Sequence, residues 1–386
     1  MISTTGDELL MSGARYLNPR GPGPSRPTNA GRPARHAYEF VVALVLAASV
    51  AGCRSSTRAG VPGPAPAGAA AVRGHLGGRL VELGMADGKI TTITTLAPGA
   101  GGADAEAWLV PAIVDSHVHL SFWPVADRLR AHGVAAAIDL GAPMEALGAD
   151  APLTILGAGP LLTRPDGYPL SSWGAGGYGV GCVAPDCVQR TVSQLAVAGA
   201  RLVKVTLGDD GLPPALLPVA VGAAHERGLM VAVHALTDAD AATAAAAGCD
   251  VLAHTPVEPL AEATVAAWAG RTVISTLAAF GGSDAAIDNL RRLRAAGATV
   301  LYGTDLGNLR DDGPSRSEIA LLGAAGLDGA AIVEAMTTTP ARVWRLPVGA
   351  LAVGQPASLL VVDADPTIDP STLTRPRAVW MDGALQ

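Results

Sequence analysis

The 386-residue sequence predicts an α/β protein: a (β/α)8 TIM barrel joined to a small β-sandwich built from the segments on either side of it. Three observations carry this. From residue 111 onward, eight short apolar runs alternate with longer Ala-, Leu- and Arg-rich stretches, and eight parallel βαβ units close a barrel. The helical stretches "PALLPVAVGAAHERG", "DADAATAAAAG" and "SDAAIDNLRRLRAAG" each run out into glycine, the usual residue just beyond a helix carboxyl end. The segments before and after the barrel are both strand-like, so they can pair with each other. A doubly wound open sheet is the competing architecture. It would need a glycine-rich phosphate turn after the first strand, and "DSHVHL" is not one.

In chain order, residues 1–53 read as a leader. "FVVALVLAASVAGC", Phe40 to Cys53, is an apolar stretch preceded by Arg32 and Arg35 and ending in small residues at a cysteine. It is short of the ~20 residues of a comfortable membrane span. Its ending Val50-Ala51-Gly52-Cys53 resembles the bacterial lipobox, which implies lipidation of Cys53 and attachment to the outer face of a bacterial membrane. An ordinary secretory signal, or a start site further downstream, is the alternative. Residues 54–73, rich in Pro, Gly, Ser and Ala, read as a flexible tether. Residues 74–110 contain "GRLVELGMADGKITTITTL", where Asp87-Gly88 between alternating runs signals a hairpin. The barrel takes residues 111–346, and residues 347–386, with "ASLLVVDAD" and "RAVWMDGAL", supply the other half of the β domain.

Composition narrows the function. Hydrophobic residues at 49% against 16% charged exclude a largely disordered chain and suit parallel strands covered on both faces. A net charge of -7 without basic runs gives no stripe for a nucleic-acid backbone, so the expected partner is a small molecule. Any membrane contact is expected through the lipid anchor alone, and assembly into a homo-oligomer stays open. Cys182 and Cys187, in "CVAPDC", are close enough for a short-loop disulfide, but spacing leaves it open whether one forms. Cys249 reads as a small buried residue, and nothing marks a cysteine nucleophile.

The chemistry lies at the strand ends. His117 and His119 in "VDSHVHL" are two residues apart and so point to one side of a strand. Lys204 in "LVKVT", His234 in "VAVHA", His254 in "VLAHT" and Asp305 in "YGTDLG" occupy similar points in the later runs, at the barrel face where enzymes of this architecture place their chemistry. Any one of these histidines alone is more often a hydrogen-bonded core or rim residue. Six ionisable groups together would be costly to desolvate without a shared partner, which a metal provides. Imidazoles and a carboxylate suit zinc or a similar divalent ion. An ammonium beside cations should lose its proton, and a neutral amine can add carbon dioxide to form an anionic carbamate that bridges two ions. The alternative is that Lys204 pairs with Asp209 or Asp210.

The set "VDSHVH", "LVKV", "VAVHA", "VLAHT" and "GTDLG", followed by "TTTPARVWRL" and "GQPASLLVVDADP", resembles the amidohydrolase superfamily, most closely its binuclear prolidase and imidazolonepropionase-like members. The likeness runs from about residue 71 to the end. It implies that His117, His119 and Asp305 hold one metal and His234 and His254 the other, with carboxylated Lys204 between them. It further implies hydrolysis of an amide-type C–N bond, in a dipeptide or cyclic amide, by a metal-bridging hydroxide, with Asp305 moving the proton. The chain departs from the pattern at "DGYP", Asp166 to Pro169, where relatives often carry Gly-Gly-His-Gly, so Tyr168 stands in place of a histidine that faces substrate. Ala-Leu follows His234, and "ASLL" replaces the usual "ADLV". In the long loop after strand three, Tyr168, Trp173 and Tyr178 either wall a substrate pocket or pack the loop. Arg310 either meets a substrate carboxylate or pairs with Asp311 or Asp312 at the surface. A deaminase, an ester or lactone hydrolase, and a non-catalytic surface-tethered binding protein are the rival readings.

Overall fold

The computed structural model describes residues 70–97, 100, 102 and 106–386. The leader, Cys53 and the tether up to residue 69 lie outside the described residues. Four strands come first: β1 (Ala70–Leu76), β2 (Arg79–Ala86), β3 (Lys89–Thr95) and β4 (Trp108–Pro111). β1 begins four residues inside the segment expected to be tether. Its small residues carry no strand pattern of their own, and pairing with β2 recruits them, Ala70 opposite Met85 and Ala71 opposite Gly84. Asp87 (φ 50°) and Gly88 (φ 74°) form the expected β2–β3 turn, both in the left-handed region that a two-residue hairpin needs.

The barrel strands are β5 (Ile113–Val118), β6 (Val134–Asp139), β7 (Thr154–Gly157), then, after two short strands β8 (Leu161–Thr163) and β9 (Gly179–Gly181), β10 (Leu202–Thr206), β11 (Met230–His234), β12 (Val251–Leu252), β13 (Thr272–Ile274) and β14 (Thr299–Leu301). Every pair among them is parallel. The ring closes where Ser116 N–H donates to Tyr302 O (3.0 Å) and Asp305 N–H to His117 O (2.8 Å), and where Arg201 N–H reaches Gly157 O (2.9 Å). An open sheet is thereby excluded. The third strand differs from the expected continuous run. It stops at Gly157, kinks through Gly159 (φ 70°) and Pro160, and resumes as β8, which carries the pairing on to β10.

Helices α1 (Ala126–Ala131), α2 (Pro185–Val197), α3 (Leu217–His225), α4 (Asp238–Ala247), α5 (Glu262–Ala267), α6 (Asp284–Ala295), α7 (Arg316–Ala324), α8 (Gly329–Met336) and α9 (Thr338–Trp344) follow the strands. The Thr237 and Ser283 side chains accept backbone N–H groups at the starts of α4 and α6. After the barrel come β15 (Leu359–Val362), β16 (Ala378–Met381) and β17 (Ala384–Leu385). They join the first four strands in one sheet of order β17-β16-β15-β4-β1-β2-β3. The sheet folds back on itself: Ala357 N–H donates to Gly88 O (2.8 Å) and Ile90 N–H to Gln355 O (2.9 Å), enclosing Val81, Leu83, Met85, Leu109, Leu359 and Val361.

Strand alternation positions the site. Leu202 and Ala232 lie in the apolar core inside the barrel with Val114, Val251, Ile274 and Leu301, so Lys204 and His234, two residues further on, project on the same side one layer higher. Trp344 closes the opposite end of that core and donates its indole N–H to Ser116 Oγ (3.1 Å).

Candidate metal centre

His117 belongs to β5 and His119 follows it by one residue. Asp305 comes from the loop after β14, where its backbone takes φ 56°. Ligand atoms of these three residues lie within 4.8 Å of one another, and all three are buried. Asp305 Oδ1 stands 3.3 Å from His117 Nε2 and 3.2 Å from His119 Nε2. The other oxygen, Oδ2, accepts the Asn308 side-chain N–H (3.0 Å), which aims Oδ1 inward.

The unused ring nitrogens are occupied. His117 Nδ1 lies 2.8 Å from Ala253 O and His119 Nδ1 3.3 Å from Gly141 O; a carbonyl only accepts, so each Nδ1 carries a proton and each Nε2 is turned to the centre. His254 Nδ1 is 3.0 Å from Thr276 Oγ1. The His254 ring sits 4.5 Å from that of His117 and 4.8 Å from that of His234. Four imidazoles thus form one cluster, with Asp305 beside two of them.

Lys204 is 1% exposed, and no ion pair or hydrogen bond reaches its ammonium among the described residues. Neither Asp209 nor Asp210 forms an ion pair with it among the described residues, and the Asp210 carboxylate accepts Tyr168 N–H (3.0 Å). Burial pushes the Lys204 ammonium down from 10.5 to about 7, with Asp305 opposing. Burial, and next the Lys204 charge, lower His234 to about 3; His117 falls well below the ordinary histidine range for the same two reasons. His254 is lowered by burial and then by His117 and Lys204. Burial alone would raise Asp305, but His117 and His119 outweigh it and hold the carboxyl well below the usual range. Burial thus disfavours the charged forms of His117, His234 and His254 while Asp305 favours its carboxylate, the forms that bind a metal.

A divalent ion fits this set. Among the described residues, the fully buried His117 Nε2 and Asp305 Oδ1 lack a hydrogen-bond partner and face each other. Orphaned polar atoms in such a place need a ligand.

Two carboxylates escaped the strand-end pattern, although both end apolar runs as Asp305 does. Asp115 accepts Thr304 Oγ1–H (2.6 Å) and the N–H groups of Thr304 and His117 (3.1 Å each), stitching β5 to the loop that carries Asp305. Burial raises it to about 7 against those bonds. Asp139, at the end of β6, accepts N–H from Leu120 (3.0 Å) and Gly141 (3.1 Å) and so braces the chain on both sides of His119.

The loop between β8 and α2 covers the cluster. Tyr168 lies 5.1 Å from His234 and Trp173 5.1 Å from His119, ring to ring, and the Trp173 indole donates to the Tyr168 hydroxyl (3.2 Å). Tyr178 packs on Trp173 (5.6 Å), and Phe122, not anticipated from sequence, meets both. All three aromatics therefore pack the loop, and Tyr168 and Trp173 also face the centre. Cys182 and Cys187 are disulfide-bonded where this loop joins α2. Arg310 is exposed, and the expected surface pair with Asp311 or Asp312 does not form: its guanidinium lies over Trp123 (4.2 Å), and Asp312 pairs with Arg128 (3.4 Å).

The chain resembles several solved structures. A Xaa-Pro dipeptidase with bound methionine in the active site matches at 18% identity, covering 80% of this chain and 95% of that one, with TM-score 0.67. A prolidase complexed with N-methylphosphonate-L-proline matches at 19% identity (80% and 94% covered, TM-score 0.63), and the A. niger ochratoxinase at 20% (79% and 91%, TM-score 0.63). No curated protein matches. The model of the amidohydrolase family matches residues 108–385, nearly three quarters of the sequence and the whole of the barrel and its closing strands. With a closed parallel barrel carrying a His-His-Asp site at its carboxyl-terminal face, the chain belongs to the amidohydrolase family, and is a hydrolase acting on carbon–nitrogen bonds.

Proposed function

We propose that the chain hydrolyses the amide bond of a dipeptide or cyclic amide with two divalent ions, zinc by the chemistry of the donors, and with a carboxylated Lys204 between them. The observation that carries this is Lys204 itself: a buried amine with no hydrogen bond or ion pair among the described residues, lowered to about 7 by burial, whose charge acts on His117, His234 and His254. Uncharged, it can add carbon dioxide and release a proton, which replaces an unpaired cation by an anionic ligand. His117, His119 and Asp305 would hold one ion, and His234 and His254 the other.

Such ions supply a nucleophile from water at neutral pH and polarise the scissile carbonyl. Asp305 then has its own task. Its Oδ1, ionised and directed inward by Asn308, accepts the proton of the attacking water and hands it to the departing nitrogen. Tyr168, Trp173 and Tyr178 form an apolar wall beside the bond and keep bulk water out. Arg310, braced on Trp123, offers its fork of donors to a free carboxylate on the substrate. The dipeptidase and prolidase among the similar structures agree with this substrate class.

We also propose that the protein is exported and lipid-anchored through Cys53. The Cys182–Cys187 bond suits an oxidising compartment. Among the described residues no helix is long and apolar enough to cross a membrane.

The test is a panel of dipeptides, N-acyl amino acids and lactams assayed before and after chelation. Activity should vanish on chelation and return with zinc. Lys204→Ala should resist that rescue unless a short carboxylic acid is added. Full activity in the chelated protein would overturn the proposal.

A further inference from the structure

Thr276 follows β13 by two residues and sits at φ 42°, a left-handed conformation that β-branched residues avoid. Glycine would adopt it without strain, as Gly281 and Gly282 do a few residues on. Strain of this kind persists only where the surroundings over-determine it, and it gathers at functional sites. On one side, Thr276 Oγ1 meets His254 Nδ1 at 3.0 Å. On the other, Glu318, wholly buried in the first turn of α7, accepts the N–H groups of the next two residues, Leu277 (3.0 Å) and Ala278 (2.7 Å). Those bonds begin the short turn Ala278–Phe280, and the Phe280 ring stands edge-on to His254 at 4.9 Å. The histidine is thus held through Nδ1 and pressed on one face by a segment that a single buried carboxylate fixes.

We infer that Thr276 is a positioning residue for His254 and that Glu318 is the buttress that keeps Thr276 in its strained conformation. On this inference Nδ1 donates to the Thr276 hydroxyl at 3.0 Å and leaves Nε2 for the centre, the arrangement that a carbonyl acceptor imposes on His117. A hydroxyl on a flexible backbone would not impose this orientation. The strained backbone sets it, and a carboxylate more than 40 residues later in the chain maintains it. The inference concerns the ring in the metal-free protein, and it rests on the metal reading only for its consequence in ion binding.

Two substitutions separate the roles. Thr276→Val keeps the branched shape and removes only the hydroxyl, whereas Thr276→Gly removes the hydroxyl and relieves the backbone. In the chelated protein, nitrogen NMR of the imidazoles should show His254 protonated at Nδ1 in wild type and in Thr276→Ser, and shifted toward mixed tautomers in Thr276→Val and Thr276→Gly. Zinc affinity should fall by about 10- to 100-fold in the latter two and recover in Thr276→Ser. Thr276→Gly should melt no lower than wild type, so that a purely structural role would leave affinity untouched. Glu318→Gln should move both readouts in the same direction, by less. A His254 ring with unprotonated Nδ1 in wild type, or one unchanged in Thr276→Val, overturns the inference. If the ring responds as stated but wild type takes up no zinc, the metal reading fails and the positioning role stands.

Discussion

Removing the Lys204 amine should change how the chelated protein responds to pH. Its folded pKa is about 7, lowered by burial from 10.5, and the unfolded chain should titrate near the upper value. Between these two values the unfolded chain binds a proton that the folded chain does not, so stability climbs as pH rises from 7 toward 10.5 and gains nothing further above it. Each pH unit inside that window is worth about 1.4 kcal/mol. From pH 7.5 to 9 the gain from this one group is therefore about 2 kcal/mol. Lys204→Met keeps the apolar stem and abolishes the titration. The assay is urea denaturation of wild type and Lys204→Met in chelator and carbon dioxide-free buffer across that range, with comparable m values. Wild type should gain about 2 kcal/mol on the variant as pH rises. Parallel stability curves would show that Lys204 is not held as an unpaired buried amine, and the argument for a carbamate would lose its ground.

Other expectations follow from the same geometry. Asp115→Asn weakens the acceptor that joins Thr304 and His117, and should cost about 1–3 kcal/mol in denaturation while lowering zinc affinity. Leu83→Ala empties a fully buried position in the β domain and should cost about 2–5 kcal/mol, with zinc content unchanged. Arg310→Ala should raise KM about tenfold or more for substrates with a free carboxylate, and leave carboxyl-amidated analogues unaffected. A uniform change across both substrate types would remove Arg310 from recognition.

The barrel was legible because parallel strands buried on both faces leave continuous apolar runs, and an ionisable residue interrupting such a run is conspicuous. His117, His119, Lys204, His234 and Asp305 all stood out in this way. His254 and Asp305 lie beyond the observed ends of β12 and β14, so the expected strands were longer than the observed ones. Asp115 and Asp139 carry the same signal, but a carboxylate that braces backbone N–H groups is indistinguishable in sequence from an ordinary strand-end aspartate. Thr276 and Glu318 were beyond reach: a threonine at a loop start and a glutamate in a helix's first turn are ordinary residues until the chain brings them to His254. Phe122 and Trp123 were hidden likewise, since only closure of the ring sets the loop after β5 beside that after β14. The seven-stranded sheet was foreseen in its halves, while its folding over one core depends on pairing between segments more than 250 residues apart.

The most direct test is the metal content of the purified protein, measured per chain by mass spectrometry after zinc loading and desalting. The account predicts two ions in wild type and a loss of bound zinc in Lys204→Ala that a short carboxylic acid reverses. A wild-type chain that retains no divalent ion, yet hydrolyses the same amides, would contradict it.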